Sequence, residues 1–383
     1  MKDRILSILA TVARTLLGLT FIFSGFVKAV DPLGTMYKIE DYLHAFGGIF
    51  SSLVPLAFAA AVTLILFEFV LGVLLAFNVW TKVTSWLALL MLLVMTPLTL
   101  YLAITNPITD CGCFGDAIHL SNWATFGKNV ILLVLVIVLL CTKKYLFSTW
   151  VQPISILICS IAVLFAGGLM TYSLLHLPPI DFRPYKIGNN LPELMEVEIP
   201  EDAPVDEYEY RFIYEKDGVQ KEFTLDNYPK DDSSWVFVEQ TSKLIKKGYE
   251  VPEPPVHDFV LTYYDKEGLM GEPGDVFDIT EDILAADSVT LVIMHKVEEA
   301  DKKQVHKIDR LWKNASFSMM EFFVLTGSGE REIEAWREQT GAEYPIATCD
   351  GVTLKTIVRA NPGVVVLHKG TVVDKYNLRN KKL

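Results

Sequence analysis

Cysteine is scarce in this chain. There are five among 383 residues, and no two are spaced Cys-x-x-Cys. That absence excludes exchange chemistry of the kind that sets two thiols over a helix start. No His and Cys set has the spacing of a four-ligand zinc site, which argues against a zinc module. Basic residues are outnumbered, 34 Lys and Arg against 46 Asp and Glu, for a formal charge of −12. No basic stripe appears, so nucleic acid is not an expected partner. No internal inverted repeat is visible, which leaves a transporter as a weak reading. The first apolar run has no small-x-small cleavage site and carries Arg14, so it is read as a retained helix and not a signal peptide.

What the chain has in excess is apolar residues, 51% with a positive mean hydropathy. Combined with the negative charge, this indicates an apolar half joined to an acidic one, dividing near Pro178-Pro179. Before that point lie five apolar runs, at 5–27, 54–77, 83–104, 126–141 and 154–176. A bilayer crossing takes about 20 residues. Lys2 and Arg4 precede the first run, Lys82 follows the second, and Lys143 and Lys144 follow the fourth. The positive-inside rule makes those segments cytoplasmic, with Lys28 and Lys38 on the other side. The expected topology is multi-pass in the cytoplasmic (inner) membrane, amino terminus inside. Five crossings then carry everything after His176 outside.

Between the third and fourth runs lies Asp110-Cys111-Gly112-Cys113-Phe114-Gly115-Asp116. A Cys-x-Cys pair closes only through a tight ring, and Gly112 tolerates the bent backbone this needs. Strained, exposed disulfides are the labile ones. The sharp reading is a redox-active dithiol, with Cys111 and Cys113 as candidate catalytic residues. The bland readings are a static disulfide, two idle thiols, or half of a metal site with His119. Cys141 and Cys159 sit near the cytoplasmic side and read as small buried hydrophobes. Cys349, in the polar loop Thr348-Cys349-Asp350-Gly351, is a candidate exchange thiol.

Two charges fall deep in the apolar runs. Arg14 and Glu68 each lie about 14–15 Å from the cytoplasmic end of their helix. An intramembrane charge is costly alone, so the matching depths predict an Arg14–Glu68 pair. Pro97 should kink the third helix below the Cys loop. Residues 33–48 read as an amphipathic surface piece or a plain connector.

The segment Asp110-Cys111-Gly112-Cys113-Phe114-Gly115 between two membrane helices resembles the MauE branch of the DoxX-like membrane proteins. So does the first-helix signature Arg14, Ser24-Gly25, Lys28, Asp31-Pro32 and Gly34. The resemblance covers residues 1–145. It implies a four-helix bundle in the cytoplasmic membrane, associated with thiol–disulfide or quinone-linked redox steps outside it. Residues 146–177 add a fifth transmembrane helix.

Beyond it, 178–256 reads as a linker with a small β element, its strands at 208–214 and 220–225. Residues 257–383 read as strands at 259–261, 289–294 and 321–325, helices at 299–314 and 330–340, and a hairpin at 364–373. This β-α-β-α-β-β order resembles extracytoplasmic thioredoxin-like domains, with Pro362 in the role of the cis-proline. Where such a domain carries its cysteines, this chain has His295-Lys296-Val297-Glu298-Glu299-Ala300-Asp301. His295 and His306 are read as ordinary surface histidines. The expected fold class is thus an α-helical membrane bundle followed by an α/β thioredoxin-like domain with a small β insertion. Two functions are compatible with the sequence. One is a membrane redox protein whose Cys111–Cys113 pair trades electrons with a quinone or an envelope thiol protein, the outer domain recruiting the client. The other is a non-enzymatic scaffold presenting a degenerate thioredoxin-like module to a protein client.

Overall fold

The structure is a computed structural model, and it describes residues 1–108, 111–146, 150–200, 202–230, 232–249, 251–266, 268, 270–315 and 322–382, with Lys2 in backbone only. Asp110 of the Cys motif and Glu321 of an expected strand lie outside these residues. Two compact units result, Met1–Asn189 with Asp258–Leu383, and Asn190–His257.

Six long helices open the first unit: α1 (Lys2–Val30), α2 (Pro32–Phe46), α3 (Ala57–Ala76), α4 (Thr81–Thr105), α5 (Asn122–Thr142) and α6 (Gln152–Leu175). Among the described residues, five helical segments are long and apolar enough to cross a membrane, those built on all but α2. This is a multi-pass membrane protein. Asp31 ends α1 and starts α2, its carboxylate accepting the Gly34 N–H as an N-cap with Pro32 at the first helical position.

The tightest helix contact is α1 against α3, and glycine makes it. A Cβ at Gly18 would stand 2.6 Å from the backbone N of Ala76, and one at Gly25 the same distance from that of Phe69. Small residues of this kind let membrane helices approach backbone to backbone. They also set the register and overturn the expected Arg14–Glu68 pair. With Gly25 against Phe69, Glu68 faces the stretch around residue 26, where Lys28 reaches it at 2.6 Å. Arg14 lies about 12 residues from that stretch, some 18 Å along the axis at 1.5 Å per residue. It donates instead to the carbonyls of Leu75 and Ala76 at the end of α3.

The rest of the first unit carries a seven-stranded sheet in the order β10-β9-β6-β7-β8-β4-β5. The other unit supplies the intervening labels. It holds α7 (Leu191–Met195) and the antiparallel strands β1 (Glu207–Lys216), β2 (Val219–Thr224) and β3 (Val236–Lys246), ordered β2-β1-β3. The large sheet uses β4 (Thr262–Asp265), β5 (Asp275–Asp278), β6 (Val289–Met294), β7 (Phe322–Thr326), β8 (Ile346–Thr348), β9 (Gly363–His368) and β10 (Thr371–Asn377). Helices α8 (Thr280–Ala285), α9 (Val305–Asn314), α10 (Glu330–Thr340) and α11 (Gly351–Ile357) accompany it. Strands β6, β7 and β8 are parallel, and β9 runs antiparallel to β6. The apolar runs of β6 and β7 are buried on both faces, as central strands are.

Several local expectations need correction. Residues 259–261 are not a strand; the strand begins at Thr262, where pairing with β5 and β8 starts. The helix expected at 299–314 starts at Val305, after two short 3-10 turns. Part of the expected linker is docked: Gly188 and Asn189 exchange backbone hydrogen bonds with Val372, and Arg183 donates to the Thr356 carbonyl. The Asn361–Pro362 bond preceding β9 is cis.

Candidate functional site

The Cys loop runs from the left-handed Asn106 that ends α4 to the Ser121 cap of α5. Asn122 ties its base, donating to Asn106 Oδ1 at 2.8 Å and to the Ile108 carbonyl at 2.7 Å. Gly112 adopts φ +63°, the left-handed region that favours glycine, and packs on the Lys38 side chain. Three side chains fix the cysteines and Phe114 in place. Tyr42 donates to the Cys111 carbonyl at 2.6 Å, and Ser24 to that of Cys113 at 2.7 Å. Lys128 lies over the Phe114 ring, which meets Phe23 edge-on. Helix α2 is therefore a wall of the site and not a mere connector.

Both cysteines are free thiols, with sulfurs 2.7 Å apart. The Cys113 S–H, directed at Cys111, pulls the Cys111 thiol down to about 6; burial opposes this, and Thr125 Oγ1, 3.5 Å away, and Lys128 assist. The Cys113 thiol is pushed up, first by holding that hydrogen bond and then by burial. The two shifts run in opposite directions and favour the thiolate at Cys111 over that at Cys113.

The dithiol is not laid open as the word loop suggests. Cys111 is 7% exposed. Both cysteines line a cavity of about 200 Å³ that enters the bundle between α1, α2, α3, α4 and α5. Its wall is largely apolar, with Met91, Met95 and Leu98 among the side chains. Its charged lining residues are Lys28, Lys38, Lys128 and Glu68, the last its single carboxylate. Glu68 accepts from Lys28 at 2.6 Å, and Lys28 also donates at 2.9 Å to Ser24, whose single hydroxyl proton is shared between the Cys113 carbonyl and Glu68, 3.1 Å away. Sequence reasoning found Glu68 but gave it the wrong partner. The i to i+4 spacing of Ser24 and Lys28 on α1 was the available signal. Asn129, which donates to Thr99 at 3.1 Å across the cavity wall, was missed altogether. Thr99 lies just beyond Pro97, which α4 accommodates without a break.

The other predicted residues lie elsewhere. Cys349 is buried, not exposed in its loop, and burial pushes its thiol up to about 12 with help from Asp350. It is not among the cavity's lining residues. Cys141 is exposed and Cys159 half-buried, so neither is a core residue. His295 is buried at the end of β6, bonded to the Val358 carbonyl at 2.8 Å, and burial lowers its imidazole to about 4. It is a core residue, whereas His306 is at the surface. Among the described residues no group of three or more His, Cys, Asp and Glu is placed to hold a metal ion.

The carboxyl-terminal sheet domain reaches the end of the Cys loop through one ion pair. Arg359, 7% exposed at its side chain, donates to Asp31 at 2.8 Å and to Asp116 at 3.3 Å, three residues past Cys113. It also covers the Tyr37 ring, as does Lys355 from α11. Burial disfavours the Asp31 carboxylate, yet Arg359 holds its pKa below the usual value.

Comparison with known families matches the methylamine utilisation protein MauE over residues 6–142. The membrane part is MauE-like. That match takes in the Cys loop, Ser24, Lys28 and Glu68, and every residue that lines the cavity. A domain of unknown function, DUF8463, matches residues 208–247, the β1–β3 sheet. No curated protein and no solved structure matches the chain.

Proposed function

We propose that this protein is a membrane thiol oxidoreductase. The Cys111–Cys113 dithiol passes two electrons to a lipid-soluble acceptor of the quinone class. The observation that carries the reading is the position of both sulfurs in the wall of an apolar cavity that enters the helix bundle. A water-soluble oxidant gains nothing from such a cavity, whereas an amphipathic ring is retained by it. The reaction is dithiol plus quinone to disulfide plus quinol. One S–S bond forms, and two electrons and two protons reach the acceptor. The oxidised pair is then reduced by a thiol protein of the envelope.

The reading adopts the expected topology, with the amino terminus cytoplasmic and the Cys loop and carboxyl-terminal domain outside. It treats that domain as thioredoxin-like and degenerate. Support comes from the parallel β6-β7-β8 core and the antiparallel β9-β10 hairpin beside it. With no Cys-x-x-Cys, and with Cys349 buried, the domain acts by holding the Cys loop through Arg359. The scaffold reading draws on that same missing motif.

A redox titration of Cys111 and Cys113 in membranes, read by alkylation mass shift, separates the two. The oxidoreductase requires a reversible pair with a potential well above about −300 mV. A pair that stays oxidised at every attainable potential, or never oxidises, leaves the scaffold as the function.

A further inference from the structure

Lys28 and Glu68 are buried charges in a membrane helix bundle, and such residues mark a functional site by default. A purely structural clasp would be enclosed by packing. This one fronts the cavity, together with Ser24. Its bonding is also incomplete. Glu68 uses one carboxylate oxygen for both Lys28 and Ser24, and the other has no partner among the described residues. The Lys28 ammonium has three N–H donors and spends two, on Ser24 and Glu68. Ser24 ties this cluster to the dithiol, since its hydroxyl also bonds the Cys113 carbonyl.

The charge balance around the cavity has a direction. Three lysines and one carboxylate line it, so the net charge favours a ligand that gains negative charge. Size narrows the ligand further. An engineered apolar cavity of about 150 Å³ holds one benzene ring. A volume of about 200 Å³ holds one substituted ring system and leaves any long tail outside, between helices.

We propose that Lys28, Ser24 and Glu68 form the subsite for one oxygen of the quinone ring, and that Lys28 protonates that oxygen as the dithiol is oxidised. This rests on the oxidoreductase reading and adds the residues that receive the acceptor. Cys111 enters as the thiolate, its proton already in the aqueous phase. The Cys111–Cys113 S–S bond forms, and its two electrons pass to the ring. The oxygen held by Lys28 takes a proton from the ammonium, and the proton leaving Cys113 restores it. The second ring oxygen takes its proton from the aqueous phase. Glu68 holds the ammonium in place and keeps the pair neutral between turnovers, a positioning role.

The test uses the full chain, reduced and freed of reductant, in lipid nanodiscs. Disulfide formation is followed by alkylation mass shift after addition of menadione, and separately of diamide, a water-soluble oxidant that needs no ring subsite. The double variant Lys28→Met/Glu68→Met removes both charges together, so neither is left buried alone. The expected result is at least a 100-fold slower reaction with menadione, and a rate with diamide within about twofold of the parent chain. Ser24→Ala, which leaves the ion pair intact but also frees the Cys113 carbonyl, is expected to slow menadione about tenfold and diamide no more than about threefold, and it serves if the double variant does not fold. Unchanged menadione rates in these variants overturn the subsite. Equal slowing with both oxidants also overturns it, since the dithiol itself has then been disturbed. A parent chain that diamide oxidises and menadione does not overturns the oxidoreductase reading and the subsite with it.

Discussion

The thiolate at Cys111 can be tested through its cause. The largest contribution is the hydrogen bond from Cys113, and Cys113→Ala removes it. With a pKa of about 6, Cys111 is about nine-tenths thiolate at pH 7, against about 3% for an unperturbed thiol near 8.5. A single rate at pH 7 is a poor reporter of that 30-fold difference. A less basic thiolate is less nucleophilic, by about tenfold over such a span at a Brønsted slope of 0.4–0.5, so the net difference is about threefold. The pH midpoint carries no such cancellation. Because the folded pKa is lowered, the thiolate is present above about pH 6 and is lost below it. Alkylation of the reduced chain by iodoacetamide, resolved by peptide mass, should therefore give a Cys111 midpoint near 6. In Cys113→Ala it should rise by about one to two pH units, short of the full span because Thr125 and Lys128 remain. A parent midpoint near 8.5, or the same midpoint in both chains, refutes the arrangement of thiolate and thiol described above.

Two further outcomes rest on burial. Lys28→Met leaves Glu68 charged and alone within the bundle, which should cost about 3–5 kcal/mol, whereas Lys28→Met/Glu68→Met should recover most of it. Thermal unfolding in one detergent compares them, and equal melting of the single and double variants would show that the ion pair does not couple. Cys349, with its thiol raised to about 12, should resist iodoacetamide at pH 8 in the folded chain. Cys349→Ser should leave the Cys111 midpoint unmoved, and a trapped mixed disulfide through Cys349 would contradict its burial.

The sequence revealed what local rules decide. Five spans were legible because hydropathy over about 20 residues needs no knowledge of neighbours. The Cys loop was legible from its two thiols and Gly112. The helix register was not. Equal depth from a helix end assumes that helices end in one plane, and α1 extends well past the end of α3. Gly18 and Gly25 hold the true register, yet a glycine does not announce which backbone it admits. The same limit hid the inward aspect of the dithiol, since a polar loop reads as exposed whether or not a cavity lies beneath it. Cys349 and His295 were misjudged for a related reason. Both stand at strand ends, where polar neighbours in sequence conceal a buried position in space.

Arg359 has a consequence for the order in which the protein is made. Asp116 and its guanidinium partner are 243 residues apart in the chain. At about 5–20 residues per second, that interval takes about 10–50 s of synthesis. Once α5 is finished, early in that interval, the Cys loop and the helices around it are complete, and the Arg359 tether does not yet exist. The dithiol loop thus becomes fully fastened only when the far end of the chain has emerged and folded. A chain cut short before residue 359 keeps both cysteines and never finishes their setting.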